Sequence, residues 1–130
     1  MNKILLIDDD EELCEEISEI LRDEGFEIHS ENDGLKGFRS IDAKQHDLIL
    51  LDLKIPGMNG FDVLKAAKSK YPKLKIIVLS GRPFNKEMMQ GKNVAEDYEL
   101  SALQMADAVI SKPYEIKVLL SKIKTLIEQP

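Results

Sequence analysis

The chain has 130 residues, of which 43% are hydrophobic and 32% are charged, and its formal net charge is −6. This composition is typical of a single globular domain, long enough to bury a hydrophobic core without disulfides or structural metals. The acidic balance argues against direct nucleic-acid binding, and no apolar run in the sequence approaches the roughly 18 residues that a membrane-spanning helix requires. We therefore expect one domain over residues 1–130, located in the cytoplasm.

Short apolar runs alternate with helical patterns along the whole chain. Runs without polar alternation are typical of strands buried on both faces of a parallel sheet, whereas apolar residues spaced by three and four predict amphipathic helices. The predicted strands are Lys3–Ile7, Phe26–Ser30, Leu48–Leu51, Lys75–Leu79 and Ala108–Ser111. The clearest predicted helices are one from Glu11 to a stop at Gly25, a short one carrying Leu35, Phe38 and Ile41, one over about Phe61–Lys70, and one over Glu115–Glu128.

The first predicted helix contains Cys14, which is the single cysteine of the sequence. One cysteine cannot form an internal disulfide, and its place in an amphipathic pattern favours a buried thiol over a nucleophile. Asp9 or Asp10 is placed to cap the start of this helix.

Residues 83–105 contain helix-forming apolar residues, but Gly91-Lys92-Asn93 interrupts their pattern. We expect either a loop followed by one helix or two short helices in this stretch. Five strands that alternate with five helical segments predict an α/β fold, a parallel sheet with helices on both faces, because right-handed crossovers place the helices there.

Polar residues stand at the carboxyl ends of four predicted strands. Asp8 and Asp9 follow the first strand, and Asp52, Ser80 and Lys112 stand at the ends of the third, fourth and fifth. Because parallel strands end at one edge of the sheet, these side chains should meet there. Crowded carboxylates raise each other's pKa unless a cation compensates, and oxygen ligands of this kind favour Mg²⁺. The sequence therefore predicts a site for Mg²⁺ and a phosphoryl group.

Asp52 is the candidate nucleophile of this site, because an aspartate can attack a phosphoryl group to form an acyl phosphate. The hydroxyl of Ser80 and the ammonium of Lys112 can contact the phosphoryl oxygens. The backbone carbonyl of Lys54, in the loop after the strand, can serve as a further metal ligand. Taken singly, each of these would be an ordinary turn or capping residue, so the prediction depends on their joint occurrence. The residues expected to shape the neighbouring loops are Pro56, Gly57, Gly60 and Pro113.

Five segments in this order resemble the bacterial response-regulator receiver domain, the phosphoacceptor part of two-component signalling, of which the chemotaxis regulators are one kind. These segments are Ile4–Asp10, Asp47–Leu53, Pro56–Gly60, Val78–Gly81 and Ser111–Pro113. The resemblance covers nearly the whole chain. It implies a flavodoxin-like, doubly wound five-stranded parallel sheet in the order 2-1-3-4-5 with five helices.

The resemblance also implies roles for the site residues. Asp52 would accept a phosphoryl group from a sensor histidine kinase or phosphotransfer protein. Asp9 and Asp52, with the Lys54 carbonyl, would hold Mg²⁺, and Asp8 would act mainly through water. Ser80 and Lys112 would contact the phosphoryl group. Binding of a downstream protein partner would then change at the face formed by the fourth helix, the fifth strand and the fifth helix, in a monomer or a phosphorylation-linked dimer. Such a protein is not an enzyme, although it assists its own phosphorylation and dephosphorylation.

Two features depart from the family pattern. Receiver domains usually carry Tyr or Phe three residues before the lysine, whereas this chain has Val109, and Tyr98 or Tyr114 would have to supply the missing ring. Ser80 and Lys112 are 32 positions apart, about ten more than we expect for the family. We therefore expect an insertion around the fourth helix that defines a partner surface particular to this chain.

Two other functions stay open at this point. The first is a haloacid-dehalogenase-like phosphatase with Asp8 as nucleophile, which leaves Asp52 and the loop after it unexplained. The second is a pseudo-receiver that binds partners without being phosphorylated, to which Val109 gives some support. His29 and His46 are expected at the surface, as neither phosphodonors nor ligands.

Overall fold

The computed structural model of the chain describes residues 2–43, 46–81 and 94–128. Its strands are β1 (Lys3–Ile7), β2 (Glu27–Glu31), β3 (Leu48–Asp52), β4 (Lys75–Ser80) and β5 (Ala108–Ser111). Its helices are α1 (Glu11–Asp23), α2 (Gly34–Asp42), α3 (Gly60–Lys70), α4 (Val94–Leu103) and α5 (Ile116–Glu128). None of these helices is long and apolar enough to cross a membrane.

All five strands are parallel and form one sheet in the order β2-β1-β3-β4-β5. The predicted fold and strand order are therefore confirmed. In the register of the sheet, Ile7 pairs with Leu51, and Ser80 pairs with Ser111. The carboxyl ends of β1, β3, β4 and β5 thus finish side by side, which brings the residues that follow them to one edge.

The central strands separate two hydrophobic cores, because successive residues of a strand point to opposite faces. Leu5, Ile7 and Leu51 face a cluster that includes α2, α3 and α4. Leu6 and Leu50 face a second cluster that includes α1 and α5. Each fully buried aliphatic side chain of this kind stabilises the fold by roughly 1.5–3 kcal/mol, so β1 and β3 provide a rigid base for the edge above them.

Side-chain caps fix where the first three helices begin. Asp10 accepts a hydrogen bond from the backbone N–H of Leu13 at 3.1 Å, so Asp10 rather than Asp9 caps α1. Asp33 and Asn59 cap α2 and α3 in the same way. The predicted starts of α1 and α3, at Glu11 and Phe61, therefore agree with the structure to within one residue.

The second strand lies one residue later than predicted. The backbone N–H of Phe26 donates to the carbonyl of Leu21 in α1 at 3.0 Å, so Phe26 belongs to the exit from that helix. At the other end, the carbonyl of Glu31 accepts from the N–H of Asp8 at 3.1 Å and extends the strand. The apolar pattern of the sequence could not show these strand bounds, because they depend on hydrogen bonds with α1 and with the residue after β1.

The fourth helix spans Val94–Leu103, which both predicted arrangements for residues 83–105 allow. The loop or second short helix that was expected before it, and most of the predicted insertion, fall on residues 82–93, outside the described residues. The partner surface predicted for this insertion therefore stays a prediction.

Candidate functional site

Three carboxylates meet at the carboxyl edge of the sheet. Asp8 and Asp9 follow β1, Asp52 ends β3, and one carboxylate oxygen from each lies within 4.8 Å of the others. Asp8 is 1% exposed and Asp52 is 8% exposed, whereas Asp9 is exposed to solvent. The buried strand ends and the exposed helix start thus create a crowded acidic site that opens on one side.

Within the described ranges, Lys112 provides the ammonium that is paired with these carboxylates, and it comes from the end of β5. Its Nζ lies 2.9 Å from Asp8 Oδ2 and 3.4 Å from Asp52 Oδ2. Its backbone N–H donates to the carbonyl of Ser80 at 2.6 Å, which ties the ends of β4 and β5 together. A cavity of about 180 Å³ lies beside these groups and is lined by Asp52, Leu53, Lys54, Phe61, Ser80, Gly81 and Lys112. The structure thus brings together the acidic, hydroxyl and basic residues that the sequence predicted at this edge.

The electrostatics of the cluster favour an additional cation. Burial raises the pKa of Asp52, and the charge of Asp8 raises it further, while Lys112 and the backbone N–H of Lys54 lower it only in part. Burial lowers the pKa of the Lys112 ammonium, but its hydrogen bond with Asp8 and the charges of Asp8 and Asp52 outweigh this effect, so its pKa is raised. One ammonium therefore does not fully compensate two buried carboxylates.

The donor atoms of this site fit Mg²⁺. Both carboxylate oxygens of Asp8 already accept hydrogen bonds. Oδ1 accepts from the N–H of Asp10 at 3.0 Å, and Oδ2 accepts from the Lys112 ammonium. Asp9 is exposed, and Asp52 Oδ1 accepts one backbone N–H, from Lys54 at 3.2 Å. A small number of carboxylate oxygens next to open solvent is the kind of site at which Mg²⁺ keeps several waters. The engagement of Asp8 also suits the expectation that it acts through water.

The loop after β3 is held between two glycines. Gly57 has φ of +77°, a conformation that side chains rarely adopt. A Cβ on Gly60 would lie 2.4 Å from Leu53 Cα, so no other residue fits between the loop and the start of α3.

Gly34 was missed in the sequence, where it looked like part of a turn. Its N–H donates to the carbonyl of Pro56 at 2.9 Å, and a Cβ on it would meet the loop backbone at 1.7 Å. On the opposite side of the site, the Lys112–Pro113 peptide is cis.

Two side chains that the sequence did not assign to the site lie behind it. The Cys14 thiol, which is buried as predicted, donates to the backbone carbonyl of Asp8 at 3.4 Å. Burial and the neighbouring carboxylates raise the pKa of Cys14 to about 11. The hydroxyl of Tyr114 is buried and has no hydrogen-bond partner among residues 2–43, 46–81 and 94–128. Burial raises its pKa to about 12, with the nearby Lys112 opposing the shift. The sequence does not show that these two side chains lie behind the site, because their positions follow from the packing of α1 and α5 on the same face of the sheet.

The position that usually carries an aromatic ring holds Val109, which is 43% exposed on β5. Two tyrosines were considered as replacements for this ring, and both are held by contacts in the structure. Tyr98 of α4 donates its hydroxyl to Asp62 of α3, and Tyr114 packs against the hydrophobic cluster that includes α1 and α5.

His46 precedes β3, at the opposite end of that strand from Asp52, and His29 lies in the middle of β2. Their rings are stacked, with centroids 6.1 Å apart and an interplanar angle of 16°. His29 is exposed as predicted, and its Nε2 lies 3.3 Å from Glu31. The expectation of a surface position is wrong for His46, whose ring is half-buried and whose Nδ1 has no hydrogen-bond partner in the described part of the chain. His46 stacks on His29, and such a contact between distant segments leaves no pattern in the sequence.

Residues 4–124 match the family model described as the response regulator receiver domain. The chain belongs to this family. As a receiver domain it is 32% identical over 127 residues to the DNA-binding response regulator MtrA of Mycobacterium leprae, covering 98% of this chain and 52% of that protein. It is 30% identical over 129 residues to the transcriptional regulatory protein CpxR homolog of Haemophilus influenzae, covering 99% of this chain and 52% of the relative. The chain thus spans about half the length of these relatives.

Solved receiver domains have the same fold. A CheY-like receiver domain protein from Methanospirillum hungatei superposes with a TM-score of 0.82 at 29% identity, covering 98% of this chain and 94% of that one. The response regulator TrrA from Thermotoga maritima, solved in complex with Mg²⁺-BeF, has a TM-score of 0.79 at 26% identity, with coverages of 97% and 99%. The predicted resemblance to response-regulator receivers is therefore confirmed, and neither the phosphatase nor the pseudo-receiver alternative is favoured.

Proposed function

We propose that this receiver domain accepts a phosphoryl group on Asp52 from a sensor histidine kinase or a phosphotransfer protein. The observation that carries the proposal is the position of the Asp52 carboxylate. It lines the cavity at the carboxyl edge of the sheet, 3.4 Å from the Lys112 ammonium and beside Ser80. A phosphoryl group entering this cavity would meet a carboxylate nucleophile and the groups that can neutralise its charge.

The transfer needs mainly positioning and charge neutralisation. An oxygen of Asp52 forms a bond to phosphorus while the phosphorus–nitrogen bond of a phosphohistidine breaks, and the departing imidazole nitrogen takes the electron pair and then a proton. Lys112 would turn from Asp8 and Asp52 to a phosphoryl oxygen, and Ser80 would donate its hydroxyl to another. These contacts favour both formation and hydrolysis of the acyl phosphate, so the chain assists its own modification without being an enzyme that acts on other molecules.

Asp9 and Asp52, with the backbone carbonyl of Lys54, would hold Mg²⁺, and Asp8 would reach it through water. When bound, Mg²⁺ neutralises negative charge on the carboxylates and on the phosphoryl oxygens. The support for this assignment is the set of three carboxylates within 4.8 Å with one ammonium beside them.

The downstream partner would be a protein that binds the face formed by α4, β5 and α5. Val109 and Val118 leave large apolar side chains on β5 and α5 exposed to solvent, which supports a protein-binding role for this face. The net charge of −6 gives no support to direct binding of nucleic acid by the chain itself. The extent of the domain over residues 1–130, the cytoplasmic location, and the choice between a monomer and a phosphorylation-linked dimer stay predictions.

Intact-mass measurement after incubation with acetyl phosphate and Mg²⁺ tests the assignment of Asp52. We expect the wild type to gain the mass of one phosphoryl group, Asp52→Asn to gain none, and the exposed-carboxylate control Asp23→Asn to behave as the wild type. Chelation of Mg²⁺ should abolish the gain. Equal labelling of Asp52→Asn would contradict the proposal, and label found on Asp8 would favour the phosphatase alternative.

A further inference from the structure

Within residues 97–103, the part of the fourth helix whose side chains the structure describes, few apolar side chains contact the core. Among the side chains of residues 97–103, Ala102 and Leu103 are the buried ones, and Leu100 is partly buried against the same core. Two or three apolar side chains hold a helix less firmly than the continuous apolar stripe typical of helices on a core. The polar contacts of residues 97–103 therefore contribute to the position of α4.

Those polar contacts join α4 to α3 and involve Asp62, Lys65, Tyr98 and Ser101, which we call the α3–α4 latch. The Tyr98 hydroxyl donates to the carboxylate of Asp62. The Lys65 ammonium lies 4.4 Å from the centroid of the Tyr98 ring and 3.2 Å from the Ser101 hydroxyl, to which it donates. The Ser101 hydroxyl in turn donates to the backbone carbonyl of Tyr98 at 2.9 Å. Two side chains of α3 thus hold one tyrosine of α4 from its edge and from its face.

The latch is connected to Asp52 by a short series of contacts through the start of α3. The N–H of Lys54 donates to Asp52 Oδ1, and the carbonyl of Leu53 accepts from the N–H of Gly60 at 3.1 Å. Asn59 then caps α3 by accepting from the N–H of Asp62, and its amide donates to the Asp62 carboxylate at 3.0 Å. The close approach of Gly60 to Leu53 means that the loop after Asp52 and the first turn of α3 have to move together.

We propose that the α3–α4 latch couples the state of Asp52 to the position of α4. This inference rests on the proposed phosphorylation of Asp52. A phosphoryl group on that carboxylate turns a charged acceptor of the Lys54 N–H into a neutral acyl oxygen and so weakens this hydrogen bond, and the shift of the loop displaces Asp62 relative to Tyr98. The latch provides a route to α4 through α3 in a chain that has Val109, instead of an aromatic ring, on β5. Tyr98 acts as a positioning residue, since it contacts no reacting atom.

The same helix provides a matched control at its other end. The Tyr71 hydroxyl donates to Asp42 Oδ1 at 2.6 Å, and Lys70 lies 5.6 Å from the centroid of the Tyr71 ring. This group has the same chemistry as the latch, but it joins the end of α2 to the end of α3, far from Asp52. Loss of the Tyr71 hydroxyl should therefore loosen a helix end without affecting coupling.

Hydrogen–deuterium exchange of the α4 amides, with and without acetyl phosphate and Mg²⁺, tests the coupling in the full chain. We expect Tyr98→Phe and Asp62→Asn to speed exchange in the unmodified α4 by about fivefold, as loss of a hydrogen bond to a charged group allows. Phosphorylation should then change α4 exchange less than half as much as it does in the wild type. Tyr71→Phe should match the wild type in both respects.

Intact mass of each sample separates the possible failures. If the wild type and variants are equally phosphorylated and the variants keep the full wild-type response in α4, the latch does not couple the two sites. An equal effect of Tyr71→Phe on α4 would also overturn the proposal, since it would show general loosening of α3. If the wild type gains no phosphoryl group, the proposed function itself fails, and the coupling fails with it. Thermal unfolding confirms that each variant is folded.

Discussion

Lys112 Nζ lies between two buried carboxylates, 2.9 Å from Asp8 and 3.4 Å from Asp52. Two negative charges from different strands thus depend on a single ammonium, and the pKa of Asp52 is raised by burial and by Asp8 in spite of it. Such a site favours binding of an additional cation. Without that cation, repulsion between the two carboxylates lowers the free energy of unfolding.

Asp52→Asn should raise the free energy of unfolding by about 1 kcal/mol at pH 7 in the presence of a chelator. A carboxyl group whose pKa is raised by folding resists ionisation in the folded state. Its destabilising effect is therefore absent below the unfolded value of 3.8 and appears as the pH rises above it. Urea denaturation at pH 7 and at pH 3 measures the difference between Asp52→Asn and the wild type. The gain should disappear at the lower pH, and a loss of stability at pH 7 would contradict the electrostatic interpretation. Asp23→Asn provides the control for removal of an exposed acid.

Tyr114→Phe should stabilise the chain by about 1 kcal/mol, because the tyrosine hydroxyl is buried and has no hydrogen-bond partner within the described ranges. Phenylalanine keeps the ring and its apolar contacts while removing the unsatisfied group. Thermal or urea unfolding measures the effect. Tyr71→Phe is the contrasting variant, since it removes a hydroxyl that donates to Asp42 at 2.6 Å, and it should not stabilise the chain. Destabilisation by Tyr114→Phe would mean that this hydroxyl has a bonded role in the folded state.

His46 should make the stability of the chain depend on pH near neutrality. Burial lowers its pKa below 6.5, and the neighbouring His29 and Lys3 lower it further, against an opposing effect of Asp47. Below pH 6.5 the unfolded chain binds a proton that the folded chain resists, so the free energy of unfolding falls as the pH drops through that value towards the lower folded pKa.

Urea denaturation between pH 5 and pH 8 tests this expectation. His46→Leu should flatten the dependence of the free energy of unfolding on pH in that range. The leucine side chain suits the apolar neighbours Ile41, Ile49 and Leu74. His29→Gln, at an exposed position, should retain most of the wild-type slope. An unchanged slope in His46→Leu would assign the pH dependence to other groups.

The fold could be predicted from the sequence because four of its five strands, all except β2, are short apolar runs with polar residues at their ends. Ala108–Ser111 was predicted with the observed bounds, and the site depends on the parallel direction of the strands, which the alternation of elements implies. What could not be predicted depends on contacts between segments far apart in sequence. Asp62 and Tyr98 are 36 positions apart, and nothing in either neighbourhood indicates the other. The stacking of His29 on His46 is a contact of the same kind.

The hydrogen bond from the N–H of Lys112 to the carbonyl of Ser80 keeps together two residues that are 32 positions apart in the sequence. Because β4 and β5 fix these ends, the entropic cost of lengthening what lies between them grows slowly, by about 0.6 kcal/mol for each doubling. Mutation can therefore change the number of residues between Ser80 and Lys112 while both ends stay side by side at the edge that carries Asp52.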